Sequence, residues 1–341
     1  MIRWKNPREK PGWTRREFLL GALGGGIAAS GYSLLLGNCT KKDWRADTLI
    51  ARVSTYEVDI ASILRKGFRE LGLEGGEIRG KRILLKPNLI EPHVGAGHIN
   101  THPNVVRGAV EAFLALGASE VLVAEGPGHS RDSFLVLEES GLGDVLVEDR
   151  IPFVDMNYES GYAVKNLGGR TRLASLTLTA SLMRADWVVS LAKMKTHHWA
   201  GVTLSMKNLF GVMPGIYYGW PKNVLHWEGI DPCIFDINAT VKPHFAIVDG
   251  IVGMEGDGPI MGNPRHAGVI VMGRNPAAVD ATSARIMGID PYKVPHLKAA
   301  SARLGTIRES DIPQRGEKVA SVRTDFALVD KIHAQRGLRL Q

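Results

Sequence analysis

Residues Asp186–Gly211, "DWVVSLAKMKTHHWAGVTLSMKNLFG", run from an apolar stretch straight into a cluster of positive charge. The first part, "DWVVSLA" (186–192), is short, rich in Val and Leu and without charge after Asp186, the pattern of a buried strand in a parallel sheet. Immediately beyond it stand Lys193, Lys195 and Lys207 with His197 and His198, and no carboxylate occurs from Leu191 to Gly211. Lysines usually end in solvent on a charged face. Here Val202, Met206, Leu209 and Phe210 recur at helical spacing, so Lys207 and Asn208 fall inside a segment that reads as buried. Buried ammonium groups need a counter-charge. The partners are either distant acids (Glu125, Asp249, Glu255, Asp280) or an anionic ligand, and the position just past a strand favours the ligand.

Working outward, the same alternation repeats. "RILL" (82–85), "EVLVAEG" (120–126), "HFAIVDG" (244–250) and "GVIVMG" (268–273) read as further buried strands. "HPNVVRGAVEAFLALG" (102–117) and "NPAAVDATSARIMG" (275–288) read as helices, each with Pro in its first turn and Gly at its end. Short Val/Ile/Leu runs alternating with helices predict an α/β fold: a mostly parallel sheet with helices on both faces. Lys86-Pro87-Asn88, Glu125-Gly126, Lys193–His198 and Asp249-Gly250 each follow an expected strand. In open α/β sheets the ligand crevice lies beyond the carboxyl ends of the strands, so the four clusters are expected to converge on one site.

The chain has 341 residues, 44% hydrophobic and 23% charged, ample for a core. Its net charge is +7, but Arg3, Lys5, Arg8, Lys10, Arg15 and Arg16 against Glu9 and Glu17 place four of those charges before residue 39. The three that remain do not point to a nucleic-acid surface, and no basic stripe interleaved with aromatics occurs. The N-terminal charge belongs to "TRREFLLGALGGGIAASGYSLLLGNC" (14–39), where paired arginines precede an uncharged, Gly-rich run. That is the pattern of a twin-arginine export signal, preferred over a membrane anchor because the glycines lower helix propensity and hydrophobicity. Residues 1–45 are therefore expected to be signal and linker, 46–305 the α/β domain and 306–341 a peripheral tail. Cys39 is a candidate for lipidation, although Asn38 before it is not the small residue such a site prefers. Only Cys233 remains besides, so no iron–sulfur cluster is expected from this chain. The expected partners are the export machinery, the membrane only through the signal or a lipid on Cys39, and an anionic small molecule.

Five segments in order, "KPNL" (86–89), "THPNVV" (101–106), "KMKTHHWAGVTLSMKNLFG" (193–211), "DGIVGMEGDGP" (249–259) and "NPAAVDA" (275–281), resemble the domain of unknown function 362 family. The resemblance covers roughly Ile50 to Ala300 and implies an architecture and motif positions, not a reaction. Some relatives of this kind carry ferredoxin-like modules, whose cysteines are missing here.

The candidate site residues follow from chemistry at these positions. Lys86, Lys193, Lys195 and Lys207 would clamp an anion and stabilise charge developing in a reaction. Asn88, Thr101, Asn208, Gly256 and Gly258 would add ligand contacts, the two glycines by close backbone approach. His197, kept neutral by neighbouring lysines, is the candidate general base, with Lys193 and Lys195 beside it in the catalytic set. Asp249, Glu255 and Asp280 are candidates for a divalent metal, and His93, His98 and His102 form a second cluster that could hold one. Neither the nucleophile elbow of serine hydrolases nor a zinc-protease helix occurs in the sequence. The expectation is an exported enzyme acting on a carboxylate- or phosphate-bearing small molecule. The alternatives are a non-catalytic anion-binding protein of the envelope and a redox accessory protein.

Overall fold

A computed structural model describes residues 46–129 and 132–341. The segment expected to be an export signal, with Cys39, lies outside the described residues. Among the described residues no helix is long and apolar enough to cross a membrane.

The strands are β1 (Thr48–Arg52), β2 (Arg82–Pro87), β3 (Glu120–Glu125), β4 (Phe153–Asp155), β5 (Gly161–Lys165), β6 (Ser175–Thr179), β7 (Trp187–His197), β8 (Gly201–Thr203), β9 (Phe245–Glu255), β10 (Asn263–Gly273) and β11 (Gln314–Gly316). The main sheet has the order β11-β1-β10-β9-β7-β2-β3-β4, with β8 hairpinned onto β7 and β5–β6 forming a separate ribbon. The contiguous run β9-β7-β2-β3-β4 is parallel throughout. β10 is antiparallel to both β9 and β1, so the sheet is mixed and mostly parallel.

Alternation along each strand divides the core between two faces. Ile83, Leu85, Val189, Leu191 and Ile247 pack with Leu64 and Phe68 of α1 (Ile60–Glu70) and with Val106 and Phe113 of α2 (Pro103–Ala115). Leu84, Val188, Ala192, Ala246 and Val248 pack on the other side with Ile234 and Ile237 of α3 (Ile230–Val241) and Ala278 and Ala281 of α4 (Pro276–Ile286). Helices thus cover both faces, as the Val/Ile/Leu runs predict. The two expected helices start where their caps dictate. His102 Nδ1 accepts from Asn104 N ahead of α2, and Asn275 Oδ1 accepts from Ala278 N ahead of α4.

Three expectations change. β7 continues through the lysines to His197, so Lys193 and Lys195 are strand residues rather than loop residues. β9 continues to Glu255, which puts Asp249 within the strand instead of at its end. Residues 306–341 are not peripheral: β11 extends the sheet beside β1, and Phe326 is fully buried against Gly253.

Candidate functional site

Two ion pairs lie side by side near the carboxyl ends of the parallel strands. In the first, Lys86 Nζ of β2 sits 2.6 Å from Glu125 Oε2 of β3, both 1% exposed. Lys86 Nζ also donates to Asn208 Oδ1 at 2.8 Å, and Asn88 Nδ2 donates to the same oxygen at 3.1 Å. Asn208 is held in turn through Nδ2 by Lys86 O and Ser190 Oγ. Glu125 accepts from Leu89 N and Gly126 N, which fixes both of its oxygens. Burial lowers the Lys86 pKa, and Glu125 opposes that shift. Gly211 passes over this pair so closely that a Cβ there would collide with Glu125 Oε1 and Lys86 Nζ. Only glycine fits at that point of the "NLFG" turn.

In the second pair, Lys193 of β7 faces Asp249 of β9 in the parallel register, with Nζ 2.8 Å from Oδ2 and both side chains inaccessible. Tyr56 closes it: its hydroxyl donates to Asp249 Oδ1 at 3.1 Å and accepts from Lys193 Nζ and Val252 N. The Asp249 carboxylate also accepts from His102 N and Ile251 N. Burial, then the Asp249 charge, raises the Tyr56 pKa. The His102 ring stacks on Tyr56 at 3.6 Å, and burial lowers its pKa to about 4.

Lys195 belongs to neither pair. Its buried Nζ donates to Ile99 O at 2.7 Å and Pro259 O at 3.3 Å. Burial and the charges of Lys193, Lys207 and Lys86 push its pKa well below the ordinary lysine value.

A cleft of about 260 Å³ opens over the first pair. Lys86, Asn88, Glu125, His197, Lys207, Asn208 and Lys222 supply much of its polar lining, with Trp199, Phe210 and Ile260 among the apolar walls. This is the mixture expected of a small-molecule site, apolar surface around a few convergent polar groups. Lys207 is partly exposed here, with Nζ 4.4 Å from the centre of the Phe210 ring. Burial and the Lys86 charge lower its pKa to about 7, against Glu125 and Asp231. Lys222 donates to Asn157 Oδ1 at 2.6 Å and to Met213 O. With no carboxylate bonded to it, burial takes its pKa to about 7 too. Asn88 Oδ1 is buried in the wall without a hydrogen-bond partner.

The turn presenting Lys207 and Asn208 (Ser205–Asn208) is anchored by Asp280 of α4, which accepts from Ser205 N and Met206 N, each at 2.8 Å. Burial raises the Asp280 pKa to about 6. A second cleft, of about 500 Å³, lies beside Tyr56 and is lined by His93, His98, Asn100, Thr101 and His102.

The expected residues therefore separate. Lys86, Asn88, His197, Lys207 and Asn208 come together in the first cleft. Lys193 and Lys195 do not reach it, because one is bound to Asp249 and the other to backbone carbonyls. Thr101 Oγ1 is occupied too, donating to Leu191 O and accepting from Asn88 N. Gly256 O is taken by Thr196 Oγ1 and Gln335 Nε2. Gly258 lies against the Thr196 carbonyl with no room for a Cβ, so the glycine-rich loop packs onto β7 at that point. Asp249, Glu255 and Asp280 are not brought together: Asp249 is bound to Lys193 and Tyr56, Glu255 accepts from Ala327 N, and Asp280 holds the Lys207 turn. Among the described residues no three His, Cys, Asp or Glu side chains form a metal-holding group, the His93, His98 and His102 cluster included.

For His197 the geometry favours a role other than base. Its Nδ1 accepts from Trp199 N at 3.0 Å and Ala200 N at 3.3 Å, and burial pushes its pKa well down. A neutral imidazole with Nδ1 as acceptor carries its proton on Nε2 and offers the cleft a donor.

Sequence reasoning missed Lys222 and Tyr56. Lys222 stands in an unremarkable "WPKN" with positive φ, and Tyr56 follows β1 in a loop. Neither belongs to a motif, and only the tertiary structure brings them to the lysines.

A thylakoid-associated protein from Synechocystis is 30% identical over 271 residues, covering 75% of this chain and 78% of that protein. Among solved structures, a Thermotoga maritima structural-genomics protein aligns at TM-score 0.40 and 16% identity, and the lactate racemase apoprotein of Thermoanaerobacterium thermosaccharolyticum at 0.37 and 18%. These alignments cover 68% and 62% of this chain, which spans only 59% and 52% of those proteins. The sequence pattern of the domain of unknown function family (DUF362) matches residues 83–285, the span that holds β3, β7, β9, all of β2 but its first residue and every polar residue named for the first cleft, and the chain belongs to that family.

Proposed function

We propose that this chain is an exported enzyme that binds a carboxylate- or phosphate-bearing small molecule in the cleft over Lys86 and Glu125. The observation that carries the reading is a charge imbalance: Lys86, Lys207 and Lys222 line the cleft, and Glu125 is its one carboxylate among the described residues. Lys86 is matched by Glu125, whereas burial lowers the pKa values of Lys207 and Lys222 to about 7 with no bonded carboxylate to oppose it. An anion placed in the cleft is held by those of these amines that are protonated. Asn88 Oδ1 would accept from a hydroxyl or amine on the same ligand, and His197 Nε2–H would donate to an oxygen on which negative charge grows. A membrane-associated location is supported by the name of the Synechocystis relative and by the Arg15-Arg16 pattern of the N-terminal segment.

The test is thermal unfolding with inorganic phosphate and with short dicarboxylates. A ligand at a hundred times its Kd stabilises the folded state by about 2.7 kcal/mol. The wild type should gain melting temperature from at least one of these anions, and Lys207→Met and Lys222→Met should gain less. Equal gains in all three proteins would remove the anion site. A non-catalytic binder would show the same stabilisation but no turnover of any ligand recovered from the cleft.

A further inference from the structure

Lys207 differs from the other lysines of the site in what its nitrogen touches. Lys86 and Lys193 are bound to carboxylates, while Lys195 and Lys222 donate to carbonyl oxygens. Lys207 instead lies over the face of Phe210 and opens to the cleft, on a turn that Asp280 fixes from below. An amine beside an apolar wall and other ammonium groups is the arrangement that makes lysine a nucleophile, because desolvation and like charge both favour its neutral form. The charges reaching it are those of Lys86, Lys195 and Lys222 against Glu125 and Asp231, with the imidazoles of His197, His198 and His226 nearby. Cations outnumber anions around it.

We propose that Lys207 forms a covalent imine with a carbonyl group of the anionic substrate, which makes that substrate an oxo acid or a phosphorylated aldehyde or ketone. The inference rests on the anion site proposed above and assigns the reacting group within it. The Nζ lone pair forms the bond to the carbonyl carbon, and the C=O π pair moves onto oxygen. That oxygen takes a proton from Nζ and then, with a second proton from Nζ, leaves as water while C=N forms. Lys86 and Lys222 hold the anionic end, and His197 Nε2–H hydrogen-bonds the carbonyl oxygen and sharpens the carbon as an electrophile. A pKa of about 7 leaves a large share of Lys207 unprotonated near neutrality, as attack requires.

The experiment treats the protein with pyruvate and, separately, glyoxylate in the presence of cyanoborohydride, then locates adducts by peptide mass spectrometry. Acetaldehyde serves as the uncharged control. The expected result is reductive alkylation of Lys207 by an oxo acid at least tenfold faster than any other lysine, a weaker bias with acetaldehyde, and suppression by phosphate. Lys207→Arg keeps a cation and should retain phosphate stabilisation while losing the adduct. Labelling spread evenly over surface lysines, or an adduct rate in Lys207→Arg equal to wild type, would overturn the imine. If phosphate still stabilises the wild type in that case, the anion site stands and only the covalent step falls. If phosphate stabilisation is also missing, both fall together.

Discussion

The two lysine–carboxylate pairs of the sheet are built alike and enclosed differently. Lys86–Glu125 joins β2 to β3 and Lys193–Asp249 joins β7 to β9, each with N–O separations below 3 Å and almost no exposure. Around Asp249 every approach is closed: Tyr56, His102 N and Ile251 N surround the carboxylate. Around Lys86 the seal is left open on one side, and the gap is the cleft. A buried ion pair seldom gains net stability, since desolvation offsets the attraction, but losing one partner is costly. The closed pair therefore reads as a clamp between neighbouring strands, and the open pair as the floor of a binding site.

The largest effect that could break this contrast is expected at Asp249. Asp249→Asn strands the Lys193 charge and should cost about 3–5 kcal/mol in chemical denaturation. Adding Lys193→Met should recover much of that loss, because uncharged replacements for a buried pair are often neutral. If both variants fold, phosphate should stabilise the double variant as much as wild type. A selective loss of phosphate binding there would place Lys193 in the site after all.

At the open pair, Gly211→Ala drives a methyl into Glu125 and Lys86 and should cost about 1–3 kcal/mol, the range for overpacking a close-packed contact. Unlike the Asp249 variants, it should also reduce phosphate stabilisation. Glu125→Gln sharpens the same point: it should lower stability but tighten phosphate, since the cleft loses its one lining carboxylate among the described residues. Weaker phosphate binding in that variant would count against an anion as the occupant.

A pH effect of opposite signs is expected for Lys207. With its folded pKa lowered to about 7 and an unfolded value near 10.4, the unfolded chain binds more protons between those limits. The stability of the ligand-free protein should therefore rise with pH across that window, while phosphate affinity falls. Lys207→Met should reduce both trends, with Lys222 supplying much of the remainder, read by denaturation and by calorimetry from pH 6 to 10. Smallest of all, Glu255→Gln should change stability by about 0.5 kcal/mol and leave phosphate binding untouched, because its acceptor contact with Ala327 N survives.

Much of the sheet was legible because buried parallel strands leave plain Val/Ile/Leu runs, and two helices because Pro and Gly punctuate them. The extension of β9 was not, since "GIVGME" carries two glycines that read as loop. That Lys207, Asn208, Lys86 and Asn88 would lie together was legible because unpaired polar groups stood in apolar surroundings just past strands, and all four line one cleft. The fate of Lys193 was not: its partner is 56 residues away, and the β7–β9 register that sets them opposite each other cannot be read from either segment alone. The packing of the glycine-rich loop was not legible for a related reason. Glycine permits close approach without naming the neighbour, and here the neighbour of Gly258 is Thr196 of β7.

The nitrogen of Lys195 ties Ile99, next to the Asn100–Thr101 wall of the larger cleft, to Pro259, part of the wall of the smaller one. Neither segment can swing outward alone without leaving one of that amine's hydrogens unmatched in the interior, at a cost of about 1–3 kcal/mol. The two chambers thus share a latch, and the segment that guards one of them is strapped to the segment that borders the other.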